Sequence, residues 1–213
     1  MSVRSLASHA ERTRNGLIVV AWGLATWLAC DRDYWIWTWA TIGKSVERED
    51  WWRLLRIAGF VPTWIVVALS VGLACRWKGV AWRAALAGLI AGAANGFLAE
   101  VIKLVVARER PGDSGIHVYR GILAGFRDGS NLGMPSSHAA VAFGAAWAFA
   151  LTIPRARWVF LLVAAGCGVS RIVHGAHFTS DVVVAAGLGH LVGRMVTGWL
   201  GVGSGRGERG GLV

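Results

Sequence analysis

The stretch IAGFVPTWIVVALSVGLAC, residues 57–75, is the clearest indication of the fold class of this chain. It is uncharged throughout and reaches the roughly 18 to 20 residues that a helix needs to cross a bilayer. The whole chain agrees, since 16% of its residues are charged where soluble domains have about 25%. With 55% hydrophobic residues, a chain of 213 residues is too apolar to stay disordered or to bury its apolar surface around one soluble core. The sequence therefore predicts an integral membrane protein.

Charged or turn-rich segments separate six apolar stretches. They are Leu17–Cys30, Ile57–Cys75, Ala84–Val106, Ala139–Ile153, Trp158–Val169 and Val182–Val202. Only Ile57–Cys75 is long enough to form a spanning helix without the charged residues at its ends. Since no stretch alternates polar and apolar residues as strands do, we predict an all-α, six-transmembrane helix bundle that forms a single domain over residues 1–213.

The lysines and arginines of the short loops predict the orientation of this bundle. One side carries Arg4, Arg12, Arg14, Arg76, Lys78, Arg83, Arg155, Arg157, Arg206 and Arg209. We expect that side to be cytoplasmic, with both termini: residues 1–15 as a cytoplasmic segment and residues 203–213 as a flexible, glycine-rich tail. The membrane is predicted to be a bacterial inner membrane. The opposite side holds a second basic group that this rule does not explain: Arg108, Arg110, Arg120 and Arg127.

The net charge of +10 favours anionic partners. For a membrane protein these are bilayer headgroups and anionic substrates. Nucleic acid is not expected, because no basic stretch is interleaved with aromatic residues on a soluble face. Cys30, Cys75 and Cys167 all lie in apolar stretches, which is typical of buried side chains and not of a disulfide framework or a zinc site. The tryptophan-rich segment from Trp35 to Trp52 is predicted to lie along the membrane surface.

The first of three polar clusters is KLVVARERP, residues 103–111. Lys103 and Arg110 are seven residues apart, so on a helix both project from one face at a separation of roughly 10 Å. Pro111 is expected to end that helix. An alternative is a snorkelling Lys103 that pairs with Glu100.

The second cluster is MPSSH, residues 134–138, directly before an apolar stretch. Proline and serine at a helix start leave backbone N–H groups free beside a hydroxyl, and such an end attracts phosphate. A plain capped helix start is the alternative.

The third cluster is SRIVHGAHFTSD, residues 170–181. His177 and Asp181 are four residues apart, so the carboxylate can accept from one imidazole nitrogen and leave the other free to attack. Arg171 supplies a planar fork that matches phosphate oxygens. Two alternatives remain: a metal site made of His174, His177 and Asp181, and a polar cap of a short loop.

All three clusters are predicted on the same side of the membrane. Together they provide three cations, two imidazoles, an aspartate and a helix N-terminus, the groups that phosphoryl transfer needs. The metal site is less favoured, because no cysteine or glutamate accompanies the histidines.

These clusters resemble, in order, the signature of the type 2 phosphatidic acid phosphatase superfamily. Residues 103–111 are similar to Lys-x6-Arg-Pro, residues 135–138 to Pro-Ser-Gly-His, and residues 170–181 to Ser-Arg-x5-His-x3-Asp. The chain departs from that signature at Ser137, where the family usually has glycine.

The resemblance implies a membrane phosphatase that hydrolyses a lipid phosphate or pyrophosphate of the polyprenyl, glycerophospholipid or lipid A type at the outer membrane–water boundary. It implies His177 as a nucleophile that Asp181 orients, and His138 as acid and base. The phosphate would be bound by Lys103, Arg110, Ser136, Ser137 and Arg171. No metal or cofactor is expected. Two alternatives remain open: a lipid phosphotransferase that uses the same site, and a non-catalytic protein that binds anionic lipid. The sequence gives no indication of the oligomeric state.

Overall fold

The computed structural model describes residues 3–43, 45 and 49–202, and side chains from residue 13 onward. The described residues form seven α-helices, and they contain two isolated β-bridges but no strand. The all-α prediction is therefore confirmed. The helices are α1 (Val3–Ala40), α2 (Asp50–Ile57), α3 (Val61–Ala74), α4 (Gly79–Val106), α5 (Ser137–Thr152), α6 (Arg157–Val173) and α7 (Thr179–Trp199). The predicted tail, residues 203–213, lies outside the described residues.

Each of the six apolar stretches is largely helical, although Ile57–Cys75 is divided between α2 and α3, and the count of six spans is not confirmed. Within the described residues, three helical segments are long and apolar enough to cross a membrane, namely Gly79–Val106, Pro154–Val173 and Thr179–Trp199. The pair α2 and α3 makes a fourth only if it is treated as one bent span. Helix α5 is apolar but has only 16 residues.

The stretch Ile57–Cys75 does not form the single spanning helix that its length predicted. Helix α2 ends at Ile57, α3 begins at Val61, and their axes differ by 68°. Pro62 lies in the first turn of α3, where proline favours a helix start. Gly59 lies against α5, so a Cβ atom there would be 2.7 Å from the Cβ atom of His138. The break therefore lets the elbow between α2 and α3, residues 58–60, approach the start of α5.

Helix α5 lies at the centre of the bundle and packs against α4, α6 and α7. Its buried face consists largely of alanine, which lets neighbouring backbones come close, as is typical of membrane bundles. The closest approach is at Gly144, where a Cβ atom would lie 2.4 Å from the carbonyl oxygen of Ala91 in α4. These small residues bring the polar ends of four helices together.

Helix α1 runs antiparallel to α7. Arg194 donates to the Asn15 side chain (3.0 Å), Trp22 to His190 (3.1 Å), and the Ser180 amide to Asp33 (2.9 Å). With 38 residues, α1 is about 57 Å long, well beyond the roughly 30 Å hydrocarbon core of a bilayer. This length carries Asp33 to the end of the bundle where α7 begins.

Candidate active site

Direct contacts join the three polar clusters at one end of the bundle. The Lys103 ammonium bonds to the Ser137 hydroxyl, which connects the first cluster to the second. The Ser136 amide donates to the Asp181 carbonyl oxygen (3.1 Å), which connects the second to the third. Arg108 donates to the Asp181 carboxylate and connects the first to the third. The structure therefore brings together residues that are up to 78 positions apart in the chain, from 103 to 181.

The first cluster does not form the continuous helix that its spacing predicted. Helix α4 ends at Val106, because Ala107 has a left-handed conformation (φ 49°, ψ 38°) that turns the chain. Lys103 therefore lies on the helix and Arg110 on the loop that follows. Arg110 is exposed, and its position is set by bonds from its amide to the Asn131 carbonyl (3.0 Å) and from its Nε to the Leu132 carbonyl (3.3 Å).

Lys103 is 6% exposed, and its ammonium lies 2.9 Å from the Glu100 carboxylate. The pairing with Glu100 that the snorkelling alternative assumed is thus present, but the ammonium is buried and does not extend into solvent. Ser137 bonds to both partners, since its hydroxyl contacts Lys103 and also donates to Glu100. The side chain that departs from the family signature is therefore part of the site.

Ser136 is the N-cap residue of α5, but its hydroxyl makes no capping hydrogen bond. The residue is fully buried, and its Oγ has no hydrogen-bond partner among the described residues. A buried hydroxyl without a partner is unfavourable. This hydroxyl and the free N–H groups of the first turn of α5 could therefore bind an anion.

His138 follows in the first turn of α5. Its ring meets the Phe60 ring edge-on, with centroids 4.9 Å apart. Arg171 and Lys103 lie within electrostatic range of this ring, as do His177 and Arg56. The second imidazole is thus close to the first and to two of the predicted cations.

The third cluster runs from the last turn of α6, through the loop that follows, into the first turn of α7. Arg171 is 8% exposed in the last turn of α6, and its NH2 group lies 3.5 Å from Nδ1 of His174. His177 is 3% exposed, and its Nδ1 lies 3.3 Å from Oδ2 of Asp181. Since the carboxylate accepts the proton at Nδ1, the Nε2 atom carries the lone pair.

Burial lowers the pKa of His177, although the Asp181 carboxylate opposes that shift. Arg110 and Lys103 lower the pKa further through their positive charge. Both effects favour the neutral imidazole, the form that can attack an electrophile.

The structure does not favour the metal alternative for His174, His177 and Asp181. Over the described part of the chain, no group of three or more histidine, cysteine, aspartate or glutamate side chains could hold a metal ion. Both oxygens of Asp181 are already engaged, one by Arg108 and the other by His177 and the Phe178 amide.

The sequence did not indicate four further polar residues next to this site: Asp33, Arg108, His117 and Ser180. Asp33 and Arg108 are fully buried. One signal for Arg108 is its place inside the first cluster. It is also one of the four loop arginines whose position the rule for basic cytoplasmic loops does not explain. Asp33 belongs to α1 and precedes Lys103 by 70 positions in the chain. Only the packing of α1 against α7 places Asp33 next to the site.

Comparison with known proteins identifies the family of this chain. Residues 84–202 match the family model of the PAP2 superfamily, more than half of the chain. The chain therefore belongs to the PAP2 superfamily, a family of membrane lipid phosphatases, as the sequence resemblance predicted.

Two curated relatives and one solved structure are similar to the chain. It is 33% identical over 145 residues to the decaprenylphosphoryl-5-phosphoribose phosphatase of Mycobacterium tuberculosis, which covers 67% of this chain and 73% of the relative. It is 33% identical over 99 residues to the lipid A 1-phosphatase of Rhizobium johnstonii, which covers 45% of this chain and 39% of the relative. The chain thus spans about two fifths of that relative. The fold is similar to that of the transmembrane PAP2 type phosphatidylglycerolphosphate phosphatase of Bacillus subtilis (TM-score 0.60, 19% identity), over 84% of this chain and 94% of that one.

Proposed function

We propose that this protein hydrolyses a lipid phosphate or pyrophosphate through a phosphohistidine at His177, without a metal. The observation that carries the proposal is the buried contact between Nδ1 of His177 and Asp181, at the point where the three polar clusters meet. That contact leaves Nε2 with the lone pair that an attack on phosphorus requires.

In the first step, Nε2 of His177 attacks phosphorus and the bond from phosphorus to the leaving oxygen breaks. His138 gives its proton to that oxygen. In the second step, His138 takes a proton from water, the resulting hydroxide attacks phosphorus, and the P–N bond breaks. The products are free phosphate, the dephosphorylated lipid and the original enzyme.

Lys103, Arg110 and Arg171 neutralise the phosphate oxygens, and they take the part that a metal ion plays in other phosphatases. The hydroxyl of Ser136 supports this role, because it is buried and has no partner in the described part of the chain. Ser137 adds its backbone N–H group and holds Lys103 through its hydroxyl.

An exposed apolar surface next to the site and the names of the relatives support a lipid substrate. Helix α2 exposes Trp51 and Leu54 next to the elbow that contacts His138, as expected of a segment at the membrane surface. The relatives are named for lipid A and for a decaprenylphosphoryl phosphoribose. We therefore propose that the phosphate is attached to a lipid anchor that stays in the bilayer.

The test is phosphate release by the purified chain in detergent micelles from lipid A, decaprenylphosphoryl phosphoribose 5-phosphate, phosphatidylglycerol phosphate, phosphatidate and undecaprenyl pyrophosphate. We expect release from at least one lipid without an added acceptor, inhibition by vanadate, no inhibition by EDTA, and no release by His177→Ala. Turnover only when an alcohol acceptor is present, with the phosphoryl group recovered on that alcohol and no free phosphate, would indicate a phosphotransferase. Loss of activity with EDTA would overturn metal independence, and activity of the His177 variant would overturn the nucleophile.

The loop charges lead us to propose that both termini are cytoplasmic and that the site faces the periplasm or the exterior of a bacterial inner membrane. A membrane-impermeant thiol reagent should label Asp113→Cys in intact cells with a permeable outer layer. It should label Arg155→Cys only after lysis. The reverse pattern would invert the orientation, and the wild-type chain measures the background of the natural cysteines.

A further inference from the structure

The Arg108 side chain is fully buried, although it carries a positive charge. It lies directly after the left-handed Ala107, which turns it away from solvent and towards α7. Its guanidinium donates to the Asp181 carboxylate and to the Ser180 hydroxyl (2.8 Å), and it lies 5.1 Å from the centre of the Phe178 ring. A buried charge needs compensation, so this placement requires partners of opposite charge.

Two carboxylates from different helices provide that compensation. Asp181 comes from α7, and Asp33 comes from α1 with its Oδ2 atom 3.7 Å from the NH1 group of Arg108. Asp33 is itself fully buried and accepts from the amide of Ser180 (2.9 Å) and from its hydroxyl. His117 approaches Asp33 at 3.1 Å. The charges alternate along the line Asp33, Arg108 and Asp181.

The two oxygens of Asp181 are divided between this line and the proposed nucleophile. Oδ1 receives the bond from Arg108, and Oδ2 faces Nδ1 of His177 (3.3 Å) and the Phe178 amide (2.9 Å). Arg108 therefore restricts the rotation of the carboxylate that orients His177. It also reduces the negative charge that this carboxylate presents to the imidazole.

We propose that Arg108 and Asp33 are positioning residues for His177: Arg108 fixes and partly neutralises Asp181, and Asp33 holds Arg108 in place and balances its charge. This inference rests on the proposed function of His177 and deepens it. Neither residue touches the phosphate in this account. The first helix thus contributes to the site through one buried carboxylate.

The sign of each effect follows from the charges that face His177. These are Asp181 from α7, Lys103 from α4, Arg110 from the loop after α4 and His138 from α5, with Arg171 of α6 next to His138. Behind Asp181 lie Arg108 and Asp33, with His117 against Asp33. Removal of the positive charge of Arg108 leaves Asp181 uncompensated and raises the pKa of His177. Removal of the negative charge of Asp33 leaves the positive charge of Arg108 less compensated and lowers the pKa of His177.

The experiment compares Arg108→Gln, Arg108→Lys, Asp33→Asn and Ser180→Ala in the full chain in detergent. The pKa of His177 is read by NMR of ¹³C-labelled histidine, with its resonance assigned by its absence in His177→Ala. Turnover is followed with 4-nitrophenyl phosphate and with the lipids of the panel above. Vanadate affinity reports the phosphate-binding groups separately.

We expect Arg108→Gln to raise the pKa of His177 and Asp33→Asn to lower it, each by about 0.5 or more. Arg108→Gln should reduce kcat by about tenfold to a hundredfold, with KM and vanadate affinity within about threefold of wild type. Arg108→Lys should restore the wild-type pKa but not the full kcat, because an ammonium cannot reproduce the shared bonds to Asp181 and Ser180. Ser180→Ala changes no charge and should reduce kcat without a shift in the pKa of His177.

Shifts in the same direction, or no shift in either charge variant, would overturn the inference, as would a parallel loss of vanadate affinity. If Arg108→Gln does not fold, the decrease in the pKa of His177 that is expected in Asp33→Asn still tests the inference. Arg108→Lys then shows whether the positive charge alone sets that pKa. Failure of the proposed function itself looks different, since His177→Ala would then keep its turnover.

Discussion

The two histidines of the site are held in different ways. His177 is tied by hydrogen bonding to Asp181, which is bonded in turn to Arg108. His138 is held by packing: its ring meets Phe60 edge-on, and its Cβ atom lies against Gly59. No hydrogen bond to the His138 ring is found within the residues that the structure describes.

This difference matches the two proposed tasks. A nucleophile must present one nitrogen in one direction, and a carboxylate at the opposite nitrogen provides that. An acid and base must serve first the leaving oxygen and then a water molecule, so a ring held by packing, with its nitrogens not engaged by described residues, is better suited. Substitutions of the two histidines and of the groups around them test whether the bonded and the packed histidine have these separate roles.

The largest effect is expected for the bonded histidine. His177→Ala should reduce phosphate release by about a thousandfold or more, because no other group can accept the phosphoryl group. The matched control is His190→Gln in α7, since His190 stacks on Trp147 (4.1 Å) and accepts from Trp22, away from the three clusters. The control should keep its activity within about threefold. Equal losses in both variants would mean that an imidazole is needed only for folding.

The effect of replacing His138, the packed histidine, should depend on the leaving group of the substrate. His138→Ala should lower turnover of a lipid phosphate by about a hundredfold to a thousandfold, the usual contribution of general acid catalysis. With 4-nitrophenyl phosphate, whose leaving group needs no proton, formation of the phosphoenzyme should recover. Equal losses with both substrates would remove the distinction between the two histidines.

A smaller effect is expected when the cation next to His138, Arg171, changes shape but keeps its charge. Arg171→Lys should lower kcat/KM by about tenfold to a hundredfold, because lysine cannot bind two phosphate oxygens with one planar group. Steady-state kinetics and vanadate inhibition should report parallel losses. Nearly normal kinetics would show that Arg171 does not contact the phosphate.

His177 should become protonated only at a pH below its ordinary pKa, because burial lowers the pKa of this imidazole. A lowered pKa keeps the imidazole neutral as the pH falls below its ordinary value of about 6.5. Phosphoenzyme formation from 4-nitrophenyl phosphate in His138→Ala should therefore persist below that pH, after correction for the titration of the substrate. Loss of activity at or above pH 6.5 would contradict the assignment.

The smallest effect is expected at Ser137. Ser137→Gly restores the residue that the family usually has and removes the hydroxyl between Lys103 and Glu100. Lys103 keeps its bond to Glu100, so kcat/KM should change by less than about fivefold, mainly through KM. Glu100→Gln is the comparison variant and should weaken vanadate binding no more than modestly. A large loss of kcat in Ser137→Gly would give that hydroxyl a role in chemistry.

The sequence indicated which polar residues lie together where they belong to short local patterns. Lys103, Ser136, Arg171 and His177 were predicted from short spacings, and the structure brings them to one end of the bundle. Their roles remain predictions. The all-α class followed from composition and from the absence of alternation.

The sequence could not predict features that depend on packing between distant segments. Pro62 favours a helix start inside Ile57–Cys75, but the close approach of Gly59 to His138 depends on packing, and the early end of α4 depends on the conformation of Ala107. The buried position of Asp33 depends on the antiparallel packing of α1 against α7. None of these contacts has a signal in the local sequence pattern.

The most direct test of the account is a search for the covalent intermediate. The His138→Ala variant is mixed with ³²P-labelled 4-nitrophenyl phosphate, quenched in alkali, where phosphohistidine survives, and digested for peptide mapping. We predict label on the peptide that contains His177, with about one phosphoryl group per chain, and none in the His177→Ala, His138→Ala double variant. Label on another residue, or turnover by a wild-type chain that never becomes labelled, would contradict the central claim.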